Sequence, residues 1–303
     1  VRLDKDSLFE FQTASVTSQS PPQGWIRAFA KDLAGQYAGV SAAAVPVLPE
    51  RVTEQFLAPY VAAGDLSRLP VGVEKETLDV AYWNFTERPV HLVLSVNREW
   101  QGLADAVGAL AAGRCGVKTM LLAAKGTAFA PAQTGTLSLY TDAPGCVGAV
   151  REIFDTVLRR NNAYKDALAA GEAAPRFEPL LVVIESLADL KAALTLPAAD
   201  GGEKTADDDT PLNRLQLAME KCDRAYGVYF LVAESLGALT PFTAESWYKA
   251  QVDGSSGIWV GSGISGQYRL TVSRKPQDAS AELGADFGYL VRRAAAVQVK
   301  FIQ

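Results

Sequence analysis

Apolar residues recur along this chain in two rhythms, one of helices and one of strands. Leu8–Gln12 alternates and reads as a strand. Trp25, Phe29, Leu33 and Tyr37 then fall four residues apart, the stripe of an amphipathic helix ending near Gly39. A proline-punctuated stretch, Pro46 to Pro49, leads to a short helix over Val52–Tyr60 and to strands at Leu69–Val73 and Leu78–Asn84. From Val90 onward strands and helices take turns. Val90–Leu94 is a buried strand, and Leu103, Val107 and Leu110 mark one face of the helix after it. Strands follow at Lys118–Ala123 and Thr136–Tyr140, then a long helix with Val150, Ile153, Phe154, Val157, Leu158, Tyr164 and Leu168 on its inner face. Leu180-Leu-Val-Val-Ile184 is apolar on both sides, as in the centre of a parallel sheet covered by helices. Leu212, Leu215, Met219 and Cys222 mark another helix, which feeds a strand at Val228–Val232. This alternation predicts an α/β, doubly wound core. The glycine-rich tail from Ile258 to Phe301, with a strand at Gln267–Val272, predicts an antiparallel extension of the sheet. We read 1–303 as one domain, with 1–86 as a cover packed on a core formed by 87–303.

Composition narrows the classes. At 303 residues, 49% hydrophobic and 21% charged, the chain can bury a large core. It holds no apolar run long enough to span a bilayer, so no membrane insertion of this segment is expected. The amino end lacks the pattern of a secretory signal, and a chain beginning at Val1 reads as a piece of a longer one. A net charge of −5 without a basic tract argues against nucleic acid as a partner. Cys115, Cys146 and Cys222 lack paired spacing and read as buried thiols of a reducing compartment. His91 is the single histidine; at the head of an apolar strand it reads as a satisfied core residue. No ligand cluster for zinc is present, and no metal is predicted. The run Asp207-Asp-Asp209 reads as a solvated surface loop, its functional alternative being a docking arm for a basic partner.

Candidate chemistry centres on one turn. The segment Ser95-Val-Asn-Arg-Glu-Trp-Gln-Gly102 stands between strand and helix, where a phosphate-binding loop would carry G-x-x-x-x-G-K-[ST]. On that register Ser95 and Trp100 replace the glycines, Gln101 the lysine and Gly102 the hydroxyl that would ligate magnesium. The strand Leu180–Ile184 ends in Glu185-Ser186, where an acidic residue would hold that metal; Ser186 is no carboxylate base. Each lost charge-assisted bond is worth about 1.5–3 kcal/mol, so ATP and Mg are expected to bind weakly or not at all. Gly261-Ser-Gly-Ile-Ser-Gly266 matches a dinucleotide fingerprint in letters only; no helix is predicted after it, and a hairpin turn is the better reading. Gly116-Val-Lys118-Thr119 and Gly202-Glu-Lys204-Thr205 lack the Gly-Lys adjacency of a phosphate loop. Trp247, Tyr248 and Trp259 are candidate exposed aromatics, weighed against ordinary core packing.

Four segments, in order, resemble one family. Leu8-Phe-Glu-Phe-Gln-Thr-Ala14, Val45-Pro-Val-Leu-Pro-Glu50, Leu69-Pro-Val-Gly-Val-Glu74 and Gly257-Ile-Trp-Val-Gly-Ser-Gly-Ile-Ser-Gly-Gln267 look like the FtsK/SpoIIIE-type ATPase modules of type VII secretion motors. The likeness is to the last, most degenerate module of a type VIIb motor. It implies a RecA-like P-loop NTPase fold at the cytoplasmic face of a larger, membrane-anchored protein. It also implies that Ser95, Trp100, Gln101 and Gly102 are a degenerate Walker A loop, and Glu185 and Ser186 a degenerate Walker B. The implied partners are neighbouring modules of the motor and secreted helical-hairpin proteins. Two other readings stand beside this one: an active ATPase in which Lys118 or Arg98 supplies the cation, and an inert cap needed only for assembly.

Overall fold

The computed structural model describes residues 23–38, 47–127, 135–195, 210–274, 276 and 279–303. The strand expected at Leu8–Gln12 and the acidic run at 207–209 lie outside them. Two compact units divide the chain, Val1–Pro46 and Val47–Gln303. In the first, helix α1 (Gln23–Gln36) forms on the predicted stripe, with Trp25 and Phe29 stacked at 5.0 Å.

The second unit opens on the short helix α2 (Glu54–Leu57) and is built on a ten-stranded sheet. Its strands are β1 (Leu69–Glu74), β2 (Val80–Trp83), β3 (Val90–Ser95), β4 (Lys118–Leu122), β5 (Leu137–Tyr140), β6 (Leu180–Glu185), β7 (Val228–Ser235), β8 (Gly257–Val260), β9 (Phe287–Arg292) and β10 (Ala295–Phe301). They lie in the order β2-β1-β10-β9-β8-β3-β7-β6-β4-β5. From β8 to β5 every pairing is parallel, and from β2 to β8 every pairing is antiparallel. This is the α/β architecture expected, with its antiparallel extension. β1 and β2, which the sequence placed in a cover, continue the sheet through β10.

The continuous apolar strands follow from burial on both faces. On one side Leu92, Leu94, Val182, Ile184, Phe230 and Val232 pack against α4 (Ala143–Ala169), α5 (Leu187–Leu194) and α6 (Pro211–Lys221). On the other, Val93, Leu181, Val183 and Leu231 meet α3 (Gln101–Gly113). Side-chain caps set several helix starts: Asp142 accepts from Gly145 N at 2.7 Å, and Thr210 from Asn213 N at 3.2 Å ahead of Pro211.

Some expectations need correcting. Gln267–Val272 is not a strand: the Gln267 Oε1 accepts from Arg269 N at 2.6 Å and Leu270 N at 2.7 Å, taking donors that a ladder would use. Nor is Gly261–Gly266 a hairpin turn, since a short 3-10 turn, Ile264–Gly266, follows the left-handed Gly263. Leu158 and Leu168 face outward on α4. Helix α5 and the short helices α7 (Leu236–Leu239) and α8 (Ser246–Gln251) were not anticipated. Trp247 and Trp259 are fully buried, so packing is their role, and Tyr248 is half-buried against Trp247.

His91 is held as a neutral core residue. Its Nδ1 accepts from Trp83 Nε1 at 3.2 Å, so Nε2 carries the hydrogen, which points at the Phe85 and Arg88 carbonyls at 2.9 and 2.8 Å. Burial drives its pKa down to about 4. The unfolded chain therefore takes up a proton below about pH 6.5, while the folded chain does not until about pH 4. Stability should fall across that window by roughly 3 kcal/mol and level off below it. Urea melts of wild type and His91→Gln at pH 7 and 4.5 test this; an equal acid loss in both would exclude His91 as its source.

Candidate functional site

The segment from Ser95 to Gly102 joins β3 to α3 at the carboxyl ends of the parallel strands. Its backbone is turned on itself. Gln101 N donates to Arg98 O at 3.1 Å, and Ala104 N to Trp100 O at 3.0 Å. Asn97 N donates to the Glu99 carboxylate at 2.8 Å, and Asn97 Nδ2 adds a second bond at 3.1 Å. Partial burial of Glu99 opposes ionisation, but these bonds and its own N–H outweigh that and hold it below the ordinary carboxylate range. Ser95 is buried and spends its hydroxyl on Asn97 O at 2.9 Å.

Trp100 does not stand where a ligand would pass. It precedes α3 with no capping bond and is fully buried, its indole part of the core cluster that also holds Val93, Leu103 and Val260. Arg98 lies over its ring at 5.3 Å. Gly102 faces open space in the first turn of α3, so a side chain there meets nothing within 4 Å. Gly102→Ala should accordingly raise stability by about 0.5–1 kcal/mol, through helix propensity and a less free unfolded chain. A lowered thermal midpoint for that variant would mean the position needs a bare backbone.

Across the turn, Gln101 Nε2 reaches Glu185 Oε2 at 3.5 Å. Glu185 ends β6 and is nearly inaccessible. Beside it lies Asp105, which the sequence reading missed. Asp105 is buried and accepts from Thr127 Oγ1 at 3.4 Å. The two carboxyls are hydrogen-bonded to each other, which requires one of them to keep its proton. Burial first, then the bond to Asp105 and its charge, push Glu185 up to about 9, so Glu185 holds that proton at neutral pH. Asp105 Oδ1 and Glu185 Oε1 find no other partner among the described residues, consistent with a shared proton between the two groups. Asp105 was legible as the one charge in an otherwise apolar helix.

Ser186 adopts a left-handed backbone, φ 59°, and caps α5 through Asp189 N at 3.2 Å. Its hydroxyl also donates to Glu234 Oε2 at 3.2 Å. Glu234, likewise missed, stands one residue before the end of β7, in register with Leu94 of β3. It accepts from Ala188 N at 2.9 Å and Ser235 N at 2.8 Å. Strands β6 and β7 thus close on the same two letters, Glu185-Ser186 and Glu234-Ser235, and that repetition was the available signal. Asp189 gathers the nearby cations: Arg98 Nη1 at 2.9 Å and Lys125 Nζ at 2.6 Å. Burial works against its ionisation, and these two partners reverse that and hold it low. Lys118, weighed as a substitute cation, starts β4 at the opposite edge of the sheet and pairs with Glu152 at 2.6 Å.

Asn97 N and Gln101 N are bonded within the loop, and Glu185 is buried against Asp105 and held far above the ordinary carboxylate range. Among the described residues no cluster of three or more metal-ligating side chains forms, and no helix is long and apolar enough to cross a membrane.

The fold itself is that of the P-loop ATPases. The cytoplasmic domain of EssC is similar with a TM-score of 0.67 at 15% identity, over 98% of this chain and 58% of that one. EssC (ATPases 2 and 3) from Geobacillus thermodenitrificans gives 0.65 at 14%, over 93% and 50%. EccC (ATPases 2 and 3) from Thermomonospora curvata, in complex with a signal sequence peptide, gives 0.57 at 16%, over 91% and 47%. The chain thus spans about half the length of these structures. No protein-family model matches the sequence, and no curated protein resembles it.

Proposed function

We propose that this chain is a nucleotide-independent ATPase-fold module of a type VII secretion motor, corresponding to the third, C-terminal FtsK/SpoIIIE-like module of an EssC-type protein. It serves there as a substrate-recognition and regulatory domain on the cytoplasmic face, in contact with neighbouring modules and with secreted helical-hairpin proteins. Ser95, Trp100, Gln101 and Gly102 are the remains of the Walker A loop, and Glu185 and Ser186 those of Walker B. One observation carries the reading: two amides of the loop and the strand-end carboxyl are already committed to partners within the chain. The Asn97 and Gln101 amides serve the loop itself, and Glu185 shares a proton with Asp105. The fold likeness to EssC and EccC, one of them solved with a signal sequence peptide, supports the assignment to secretion.

A module of this kind works by biasing its neighbours. A secreted protein that binds one arrangement of the motor better than another shifts the population toward it, by no more than that difference in affinity. Calorimetric titration with Mg–ATP is the test, with Gln101→Lys alongside. Neither protein should give heat, because restoring one cation leaves the loop amides and the acid pair engaged. Saturable micromolar binding by wild type would overturn the reading in favour of a working ATPase.

A further inference from the structure

We propose that the cleft at the amino-terminal ends of the parallel strands binds an acidic side chain of a partner polypeptide that runs through it in extended form. This site lies at the opposite edge of the sheet from Ser95–Gly102 and does not rest on the nucleotide reading. It is a cavity of about 560 Å³ lined by Glu87, Arg88, Asp253, Ser255, Ser256 and Arg293, with Arg292 at its wall. A second cavity of about 200 Å³, reaching Tyr82 and Asn84, shares Glu87, Ser256 and Arg292 with it. Two adjoining spaces with shared walls suit a short length of chain better than a compact ion.

The charges select the ligand. Arg88 is spent on Asp253 at 2.8 Å, and Asp253 also takes the Ser255 N–H and hydroxyl, each at 2.9 Å. Arg292 donates to the Tyr82 carbonyl. Arg293 makes no hydrogen bond or ion pair among the described residues, though its neighbours do. Three guanidiniums face two carboxylates, leaving one net positive charge. That charge matches a single carboxylate, which a guanidinium grips through two parallel bonds. A phosphate dianion would sit against Glu87 and Asp253 with one charge uncompensated, and the chain's net charge of −5 repels a polyanion.

The backbone presents Arg293 at a cost. It shares with Ala294 the two-residue turn between β9 and β10, where both take positive φ, 48° and 62°. Such turns ordinarily use Asn-Gly. Here the tip is pinned instead, by Ala294 N on Ser255 O at 2.8 Å and Ser273 N on Ala294 O at 2.9 Å. Strain maintained by its surroundings at a free cation is the mark of a recognition residue.

Relief of strain and loss of binding can therefore be separated. The probe is the peptide Gly-Ser-Glu-Ser-Gly, blocked at both ends and titrated into the whole chain while the Ser255, Ser256 and Ala294 amide resonances are followed. Wild type should shift saturably, and the Gln-for-Glu peptide should bind at least tenfold more weakly. Arg293→Asn should raise the thermal midpoint by roughly 2 °C yet weaken the Glu peptide about tenfold. Ala294→Gly should raise the midpoint similarly and leave binding within twofold. Equal binding of the Glu and Gln peptides, or unchanged binding by Arg293→Asn, would overturn the proposal. So would tighter binding of inorganic phosphate, or of Gly-Ser-Gly-Ser-Gly with a free carboxyl terminus. None of these results bears on Mg–ATP, so failure here leaves the secretion-module reading where the calorimetry puts it.

Discussion

Putting a glycine back at position 100 should cost the protein about 3–5 kcal/mol and restore no nucleotide binding. In sequence register Trp100 occupies the second glycine of a phosphate loop, and Trp100→Gly looks like a repair. In the structure the indole is a fully buried element of the core between β3 and α3. Removing it leaves a cavity in the core cluster to which it belongs, which the rigid sheet cannot close. The small gain of glycine as a residue preceding the helix, a few tenths of a kcal/mol, does not offset this. Urea unfolding of the variant, with a Mg–ATP titration of the same sample, decides the matter. A loss below about 1 kcal/mol together with new binding would mean that Trp100 is a plug.

The second large effect has the opposite sign. Glu185→Gln, the substitution used to cripple an ATPase, should here make the protein more stable, and increasingly so as pH rises. The folded Glu185 keeps its proton far above the ordinary carboxylate range, because it is buried against Asp105. The unfolded chain releases that proton near pH 4.5. Between those limits the folded state binds more protons, so wild-type stability declines as pH rises and levels off above about 9. Glutamine is neutral throughout and still offers an N–H to Asp105. The gain should be of the order of 2–3 kcal/mol at pH 8 and small at pH 5. A gain that does not vary with pH would show that no proton is shared.

How much of this was open to inspection in the sequence depends on which force wrote each part. Strands buried on both faces leave uninterrupted apolar runs, so β3, β6 and β7 and their place in a parallel sheet were readable. Gln267–Val272 alternates like a strand, yet one glutamine side chain captures its amides; periodicity carries no information about such a competitor. Helix α5 is eight residues long and opens on a left-handed serine, too short and too irregular in its start to announce itself. At the site, the four residues named from the loop register and the two named from the strand end fall at the junctions of β3 with α3 and β6 with α5. Asp105 and Glu234 left the marks noted above, but their pairing with Glu185 and Ser186 did not show, because it joins elements distant in sequence. Trp100 shows the other limit. A register assigns a position, whereas burial assigns a role, and only packing reveals that the two differ.

Ser186 and Glu234 make the state of this site hard to reverse. A carboxylate placed at 186 would arrive within hydrogen-bonding distance of Glu234, which already takes two amides and two hydroxyls there. Two buried like charges at that distance are strongly unfavourable. On the proposed reading, the way back to a hydrolytic residue passes through a less stable intermediate unless Glu234 changes first, and that change leaves the Ala188 N–H of α5 without its acceptor. On that reading the arrangement is a ratchet: what the module recognises stays free to vary while the path to an engine is closed.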